Sequence, residues 1–135
     1  MTNECVLVYE TGHAIPFTVV NATPIPKGTI CDLVDPMAAG VGVEDDRVAG
    51  IAKNEKIASD GKTRLAIYRE GIFKGVSAGT IAIGDALALS GSNVLKIAEA
   101  TSVSSETVGI ALEAVSAGET FLFELKIGCN NHVYS

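Results

Sequence analysis

The strongest constraint on this chain is a pattern that occurs twice. One copy runs Arg47-Val48-Ala49-Gly50-Ile51-Ala52, turns at Gly61-Lys62-Thr63 and returns as Leu65-Ala66-Ile67-Tyr68. The other runs Thr107-Val108-Gly109-Ile110-Ala111-Leu112, turns at Gly118-Glu119-Thr120 and returns as Leu122-Phe123-Glu124-Leu125. Each is a strand of small residues that enters a glycine turn and leaves as an alternating strand. Repetition of this kind reads as scaffold. The segment Ile83-Gly84-Asp85 occupies the place in the second half that Ile25-Pro26-Lys27-Gly28 holds in the first, followed by a matching strand from Ala86 to Leu89.

Short runs rich in Val and Ile, separated by glycine turns, predict an all-β fold, a small barrel or sandwich, and the repeat gives it two pseudo-repeated halves. Residues 25–127 form its body. Residues 35–42, small and glycine-rich, are expected as a loop, with Met37 as apolar filler. Ser90 to Asn93 is expected as a hairpin turn, and residues 98–106 as a loop or short helical turn. Residues 1–24 are expected as an extended N-terminal arm or peripheral hairpin, because Pro16, Pro24 and Pro26 bracket them and proline cannot donate to a ladder. Residues 128–135 are expected as a polar tail.

Composition excludes several function classes. The 135 residues carry a net charge of -6 with no run of Lys and Arg, and only 5% are aromatic. Direct nucleic-acid binding normally needs a basic face or stacking aromatics. The first residues lack the positive and apolar regions of a signal peptide, and no apolar run has membrane-spanning length, so a soluble protein made in a cytoplasm is expected. Three cysteines, Cys5, Cys31 and Cys129, at long spacings fit free thiols better than a zinc site. Whether Cys5 and Cys129 meet depends on how the terminal strands are placed.

Chemical equipment is sparse. His13 and His132 stand in polar contexts with no local acid–base partner. Ser90-Gly91-Ser92 lacks the nucleophile elbow. Glu44-Asp45-Asp46 lacks the alternate oxygen spacing of a calcium loop. The glycines at 71, 75 and 79 are followed by neither Lys-Ser nor Lys-Thr. No catalytic, cofactor or metal residue is therefore assigned, and the chain is expected not to be an enzyme.

The segments Lys27-Gly28-Thr29, Val48 to Ala52, Gly71-Ile72-Phe73, Ile83 to Leu87, Val108 to Ala114 and Ala117 to Thr120 together resemble the capsid decoration (cement) proteins of tailed bacteriophages. The resemblance spans roughly residues 25–127, and its most recognisable part is Gly109 to Leu125. It implies a small β-barrel or β-tulip-like domain that binds the exterior of an expanded capsid, commonly as a homotrimer on the major capsid protein, and reinforces the shell without cofactor or catalysis. Another virion part, such as a head fibre base or tail-tube component, is the alternative, and a small β-barrel binding module or enzyme a weaker one. An avid contact with a finished lattice needs an exposed edge or arm. The extended and, apart from Glu4, largely apolar residues Glu4, Cys5, Val6, Leu7, Val8, Tyr9, Phe17 and Val19 are the expected capsid-contact arm.

Overall fold

A computed structural model of the chain describes residues 3–98 and 106–128. Among them are eleven strands: β1 (Val6–Tyr9), β2 (Ile15–Thr18), β3 (Ile30–Val34), β4 (Ala38–Val41), β5 (Val48–Ala52), β6 (Arg64–Tyr68), β7 (Glu70–Val76), β8 (Ala86–Gly91), β9 (Val94–Ile97), β10 (Thr107–Ala111) and β11 (Thr120–Lys126). No helix among the described residues is long and apolar enough to cross a membrane. The all-β expectation is met.

The sequence repeat is an architectural one. Strands β2, β4, β3, β5 and β6 close a barrel in that order. The second sheet runs β1-β7-β11-β10-β8-β9. Replace each barrel strand by the one five later and the same neighbours recur, with β7 for β2 and β11 for β6. In the barrel, β2 meets β4 through the parallel pair Thr18–Ala38. In the second sheet, β7 meets β9 through the parallel bridge Ser77–Leu95. The second unit is thus a barely closed copy of the first. Because β11 fills one edge of β7 along its whole length, β1 takes the remaining part of the other edge, with Val6 opposite Lys74 and Leu7 opposite Phe73.

Backbone hydrogen bonds fix the correspondence residue by residue. Ile25 and Lys56 exchange two bonds, of 2.9 and 2.8 Å, and Ile81 and Val115 exchange two, of 3.0 and 2.9 Å. Gly28 N donates to Ala52 O at 3.0 Å, and Gly84 N to Ala111 O at 2.8 Å. Both glycines have positive φ, 81° and 88°, at the third position of a turn that Pro26 and Ala82 open; an L side chain rarely adopts that conformation. The same correspondence corrects the sequence alignment of the later turn. Ser59 N bonds Asn21 O as Gly118 N bonds Ser77 O, so Ser59, with φ 58°, is the counterpart of Gly118. Gly61 lies two residues further on and has no counterpart glycine.

Two other expectations are overturned. Residues 35–42 are not a loop throughout, because β4 forms a hairpin with β3 from Val34–Ala38 to Cys31–Val41. Small residues suit this strand, with Ala39 buried in the barrel. Met37 is no filler: it sits exposed in the connecting turn with φ 48°. The arm expected at residues 1–24 does not stand outside the body over its described part, residues 3–24, either. β2 is a barrel stave, paired with β6 from Ile15–Ile67 to Thr18–Arg64, and β1 is an edge strand of the second unit. Pro16 is accommodated because β2 shares only one residue pair with its other neighbour. The repeat therefore begins at β2 rather than at residue 25.

Two cores result. One fills the barrel and includes Phe17, Val19, Ile25, Cys31, Leu65 and Ile67. The other is built mainly from the second unit, with Phe73, Leu89 and Phe123, and takes in Cys5, Ile30 and Ile51 at the junction. Strand β5 feeds both: Ala49 and Ala52 face the barrel, while Val48 and Ile51 face the shared core. With both faces buried and an irregular register against β3, this strand has room only for small and β-branched residues. Aromatic rings carry the shared core across the junction. Tyr68 of β6 meets Phe73 of β7 edge-on at 5.9 Å, and Phe73 stacks with Phe123 at 6.2 Å. Such pairs add roughly 0.5–1.5 kcal/mol beyond burial.

The junction is also pinned by one polar side chain. Asn93, at the tip of the β8–β9 hairpin, is buried with φ 61°. Its Oδ1 accepts from Ile30 N, and its Nδ2 donates to Gly28 O at 2.9 Å and Asn3 O at 2.6 Å. A hairpin of the second unit thereby satisfies backbone groups of the first.

Candidate functional site

The exposed edge strand β1 is the most distinctive surface of the described molecule. Its anchor is Cys5, whose N donates to Gly28 O at 3.0 Å and whose side chain is buried in the shared core. Leu7 packs partly against the same core. The remaining strand residues turn outward: Val6 is 51% exposed, Val8 41% and Tyr9 64%. The register against β7 shifts between Leu7 and Tyr9, a bulge that bends the edge. Apart from this bulge and flanking Glu4 and Glu10, the strand lacks the charges and prolines that usually blunt an open edge.

Of the eight expected arm residues, the structure groups Glu4, Val6, Leu7, Val8 and Tyr9 along this edge. It removes Cys5, Phe17 and Val19 from any surface role, because each is at least 96% buried. Phe17 and Val19 alternate with exposed neighbours, so they face the barrel interior. Sequence alternation identified these strands correctly but gave no sign of which face would be covered.

Behind β1, where the first unit meets it, lies a cleft of about 300 Å³. Its walls include Val6, Leu7, Tyr68 and Phe73, and Lys27, Lys53 and Asn54 stand at its rim. Lys53 Nζ lies 5.9 Å from the Tyr68 ring centre. The Tyr68 hydroxyl donates to Glu10 Oε2 at 3.3 Å, tying β1's exit to the barrel. Burial and the nearby Glu10 carboxylate both raise the Tyr68 pKa above its ordinary value.

The expected reactive groups are placed as follows. Burial pushes the Cys5 and Cys31 thiols up to about 12, so both are protonated, inert core residues at neutral pH. His13 is exposed between β1 and β2. Cys129 and His132, with the rest of residues 129–135, and residues 99–105 lie outside the described residues. Within the acidic cluster, Glu44 and Asp45 pair with Lys96 of β9 at 3.3 and 3.0 Å, while Asp46 accepts from Val43 N at 2.9 Å. The cluster thus bridges the two units. No three metal-capable side chains come together among the described residues.

A closed barrel and a six-stranded sheet of the same strand order, joined at the junction by rings and hydrogen bonds, leave an apolar edge open at β1. Comparison with known proteins gives this build its family. The family model for phage cement protein matches residues 9–127, and the chain belongs to that family. It is a structural protein of the phage virion, associated with the capsid. No curated protein sequence matches it. Among solved structures, the fold is similar to the head fiber gp8.5 N base of bacteriophage phi29, with a TM-score of 0.56 and 14% identity over 83% of this chain and 93% of that one. That likeness is one of fold. The sequence-derived family resemblance is met, and it extends further towards the N-terminus than residue 25.

Proposed function

We propose that this protein binds the exterior of the assembled phage capsid, through the open edge of β1, and reinforces the shell as a homotrimer contacting the major capsid protein. The observation that carries this reading is the exposed Val6-Val8-Tyr9 edge on a body whose other strands are paired into two units. An edge strand offers unpaired backbone groups in a row, and apolar side chains beside them supply the contact area. Several weak contacts per oligomer then combine into stable attachment. The proposed role is non-catalytic, with no direct nucleic-acid contact, and the protein acts on the virion after synthesis in the host cytoplasm.

The test is attachment of the full chain to purified capsids, measured by co-sedimentation and by electron microscopy, followed by heat challenge. Val8→Lys should weaken attachment about tenfold or more while changing folding stability by less than about 0.5 kcal/mol, as expected for an exposed site. Unaltered attachment would remove β1 from the contact. Equal heat survival of coated and bare particles would overturn the reinforcing role. A second reading is the base of a head fibre, supported by the fold likeness that spans nearly all of the phi29 base structure. Projections seen above the protein on particles would favour it.

A further inference from the structure

The two units carry the same turn pair with opposite chemistry. In the first unit, Lys27 and Lys53 flank the hydrogen bond from Gly28 N to Ala52 O. In the second, the corresponding residues are Ile83 and Leu112, flanking the bond from Gly84 N to Ala111 O. Ile83 is 70% exposed and Leu112 37%, so neither contributes much to a core. Two carboxylates adjoin them. Asp85 Oδ2 accepts from Ala82 N and Glu113 Oε1 from Leu122 N, both at 2.9 Å, which leaves each carboxylate a second oxygen as acceptor. This tip is therefore an apolar knob, rigidly held and rimmed by negative charge.

The lysine pair has the complementary character. Lys27 and Lys53 stand at the rim of the cleft behind β1, whose walls combine the apolar and aromatic Val6, Leu7, Tyr68 and Phe73 with polar groups of Glu4, Gly28 and Asn54. Neither forms an ion pair among the described residues, and Glu4 is the one acid that lines the cleft. Gly28 is buried at the junction between the units, whereas the space beside Gly84 is open. Knob and cleft are thus fixed at different places on a rigid chain and cannot meet within it. A knob rimmed by carboxylates and a cleft rimmed by lysines match each other in charge, and the apolar tip of the knob has Val6, Leu7 and Tyr68 in the cleft wall to meet.

We infer that the Ile83–Leu112 tip of one copy docks into the Lys27–Lys53 cleft of the next. This rests on the homo-oligomer of the preceding section and names its contact. The interface is head-to-tail, joining two different faces, and such contacts close into a ring when the rotation between copies permits. Lys27 and Lys53 face Asp85 and Glu113, while Ile83 enters between Val6 and Tyr68.

Sedimentation velocity of the full chain over a concentration series tests it, with circular dichroism as the folding control. The wild type should associate. Ile83→Asp and Glu113→Lys should each weaken association about tenfold or more. Combining Lys53→Glu with Glu113→Lys should restore it. A wild type that stays monomeric at every concentration overturns this contact and leaves the homotrimer on the capsid to the particle experiments. An oligomer insensitive to Ile83→Asp and Glu113→Lys overturns this contact alone. Association lost in Ile83→Asp but not restored by the charge exchange overturns the pairing of tip with cleft. Co-sedimentation of the wild type with capsids reads the shell-binding proposal separately.

Discussion

Single residues mark where the two copies of the repeat obey one geometry and where they diverge. Gly50 and Gly109 meet the same obstacle: a Cβ on either would land on a carbonyl oxygen of the following strand, Tyr68 O or Glu124 O. Gly84 has open space around it and needs glycine only for its φ of 88°. Gly109→Ala should therefore cost about 3 kcal/mol or more, since backbone must move, whereas Gly84→Ala should cost roughly 1–2 kcal/mol of local strain; urea denaturation of the two variants checks the order. Divergence shows at Lys56, whose counterpart is Val115. Buried Lys56 donates to Asn21 O and Ile57 O at 2.7 and 2.6 Å and pairs with Asp60 at 2.8 Å. In the second unit, the Ser77 hydroxyl instead donates to the corresponding carbonyl, Ser116 O, at 2.6 Å. The Lys56 hydrogen bond is the main reason that Asp60 titrates at about 2, below its ordinary 3.8. A depressed carboxylate stabilises the fold fully above its unfolded value, and that contribution fades as pH falls through the folded one. The urea midpoint of the wild type should accordingly drop as the pH falls through this window, and Asp60→Asn should flatten that acid limb. The glycines of the repeat were legible in the sequence because they recur at fixed spacing. The lysine lock was not, because its partners lie up to 35 residues away and nothing local distinguishes a buried lysine from a solvated one.

At the scale of elements, the decisive strands are those that hold the two units together. The β8–β9 hairpin carries Asn93 into the junction, where three bonds to Ile30, Gly28 and Asn3 depend on one side chain. Asn93→Gly keeps the positive φ accessible and removes the bonds, leaving Ile30 N buried without its acceptor. It should destabilise the protein by about 2–3 kcal/mol through those lost bonds. A thermal-unfolding midpoint unchanged from wild type would show that water replaces them. The hairpin turn itself was readable from Ser90 to Asn93, and the structure places Ser92 and Asn93 at its tip. Its role at the junction was not readable, since it is a contact between residues more than 60 positions apart. Strand β2 teaches the same lesson in reverse. Pro16 argues locally for a peripheral segment, yet Phe17 and Val19 bury deeply enough in the barrel to hold β2 there. A strand with one weakly paired side tolerates proline, so burial prevails over the local signal.

For the whole molecule, the proposed function rests on the strand that the doubled topology leaves with an open edge. Ten strands pair off as two copies of one topology, and β1 is the strand without a counterpart. Its open edge, the lysine-rimmed cleft behind it and the Ile83 tip are three rigid surfaces on one virion protein. The expected outcome of Val8→Lys, weaker capsid attachment at unchanged stability, belongs here because it tests a surface rather than a fold. The sequence by itself determined the all-β class, the repeat and the family, because periodic small residues and positive-φ glycines are local requirements of the backbone. Only the tertiary structure decided that residues 15–18 close a barrel, that Cys5, Phe17 and Val19 are core, and that Val6, Val8 and Tyr9 stay exposed. Those outcomes turn on which strand edges find partners from distant parts of the chain, and no local pattern encodes that.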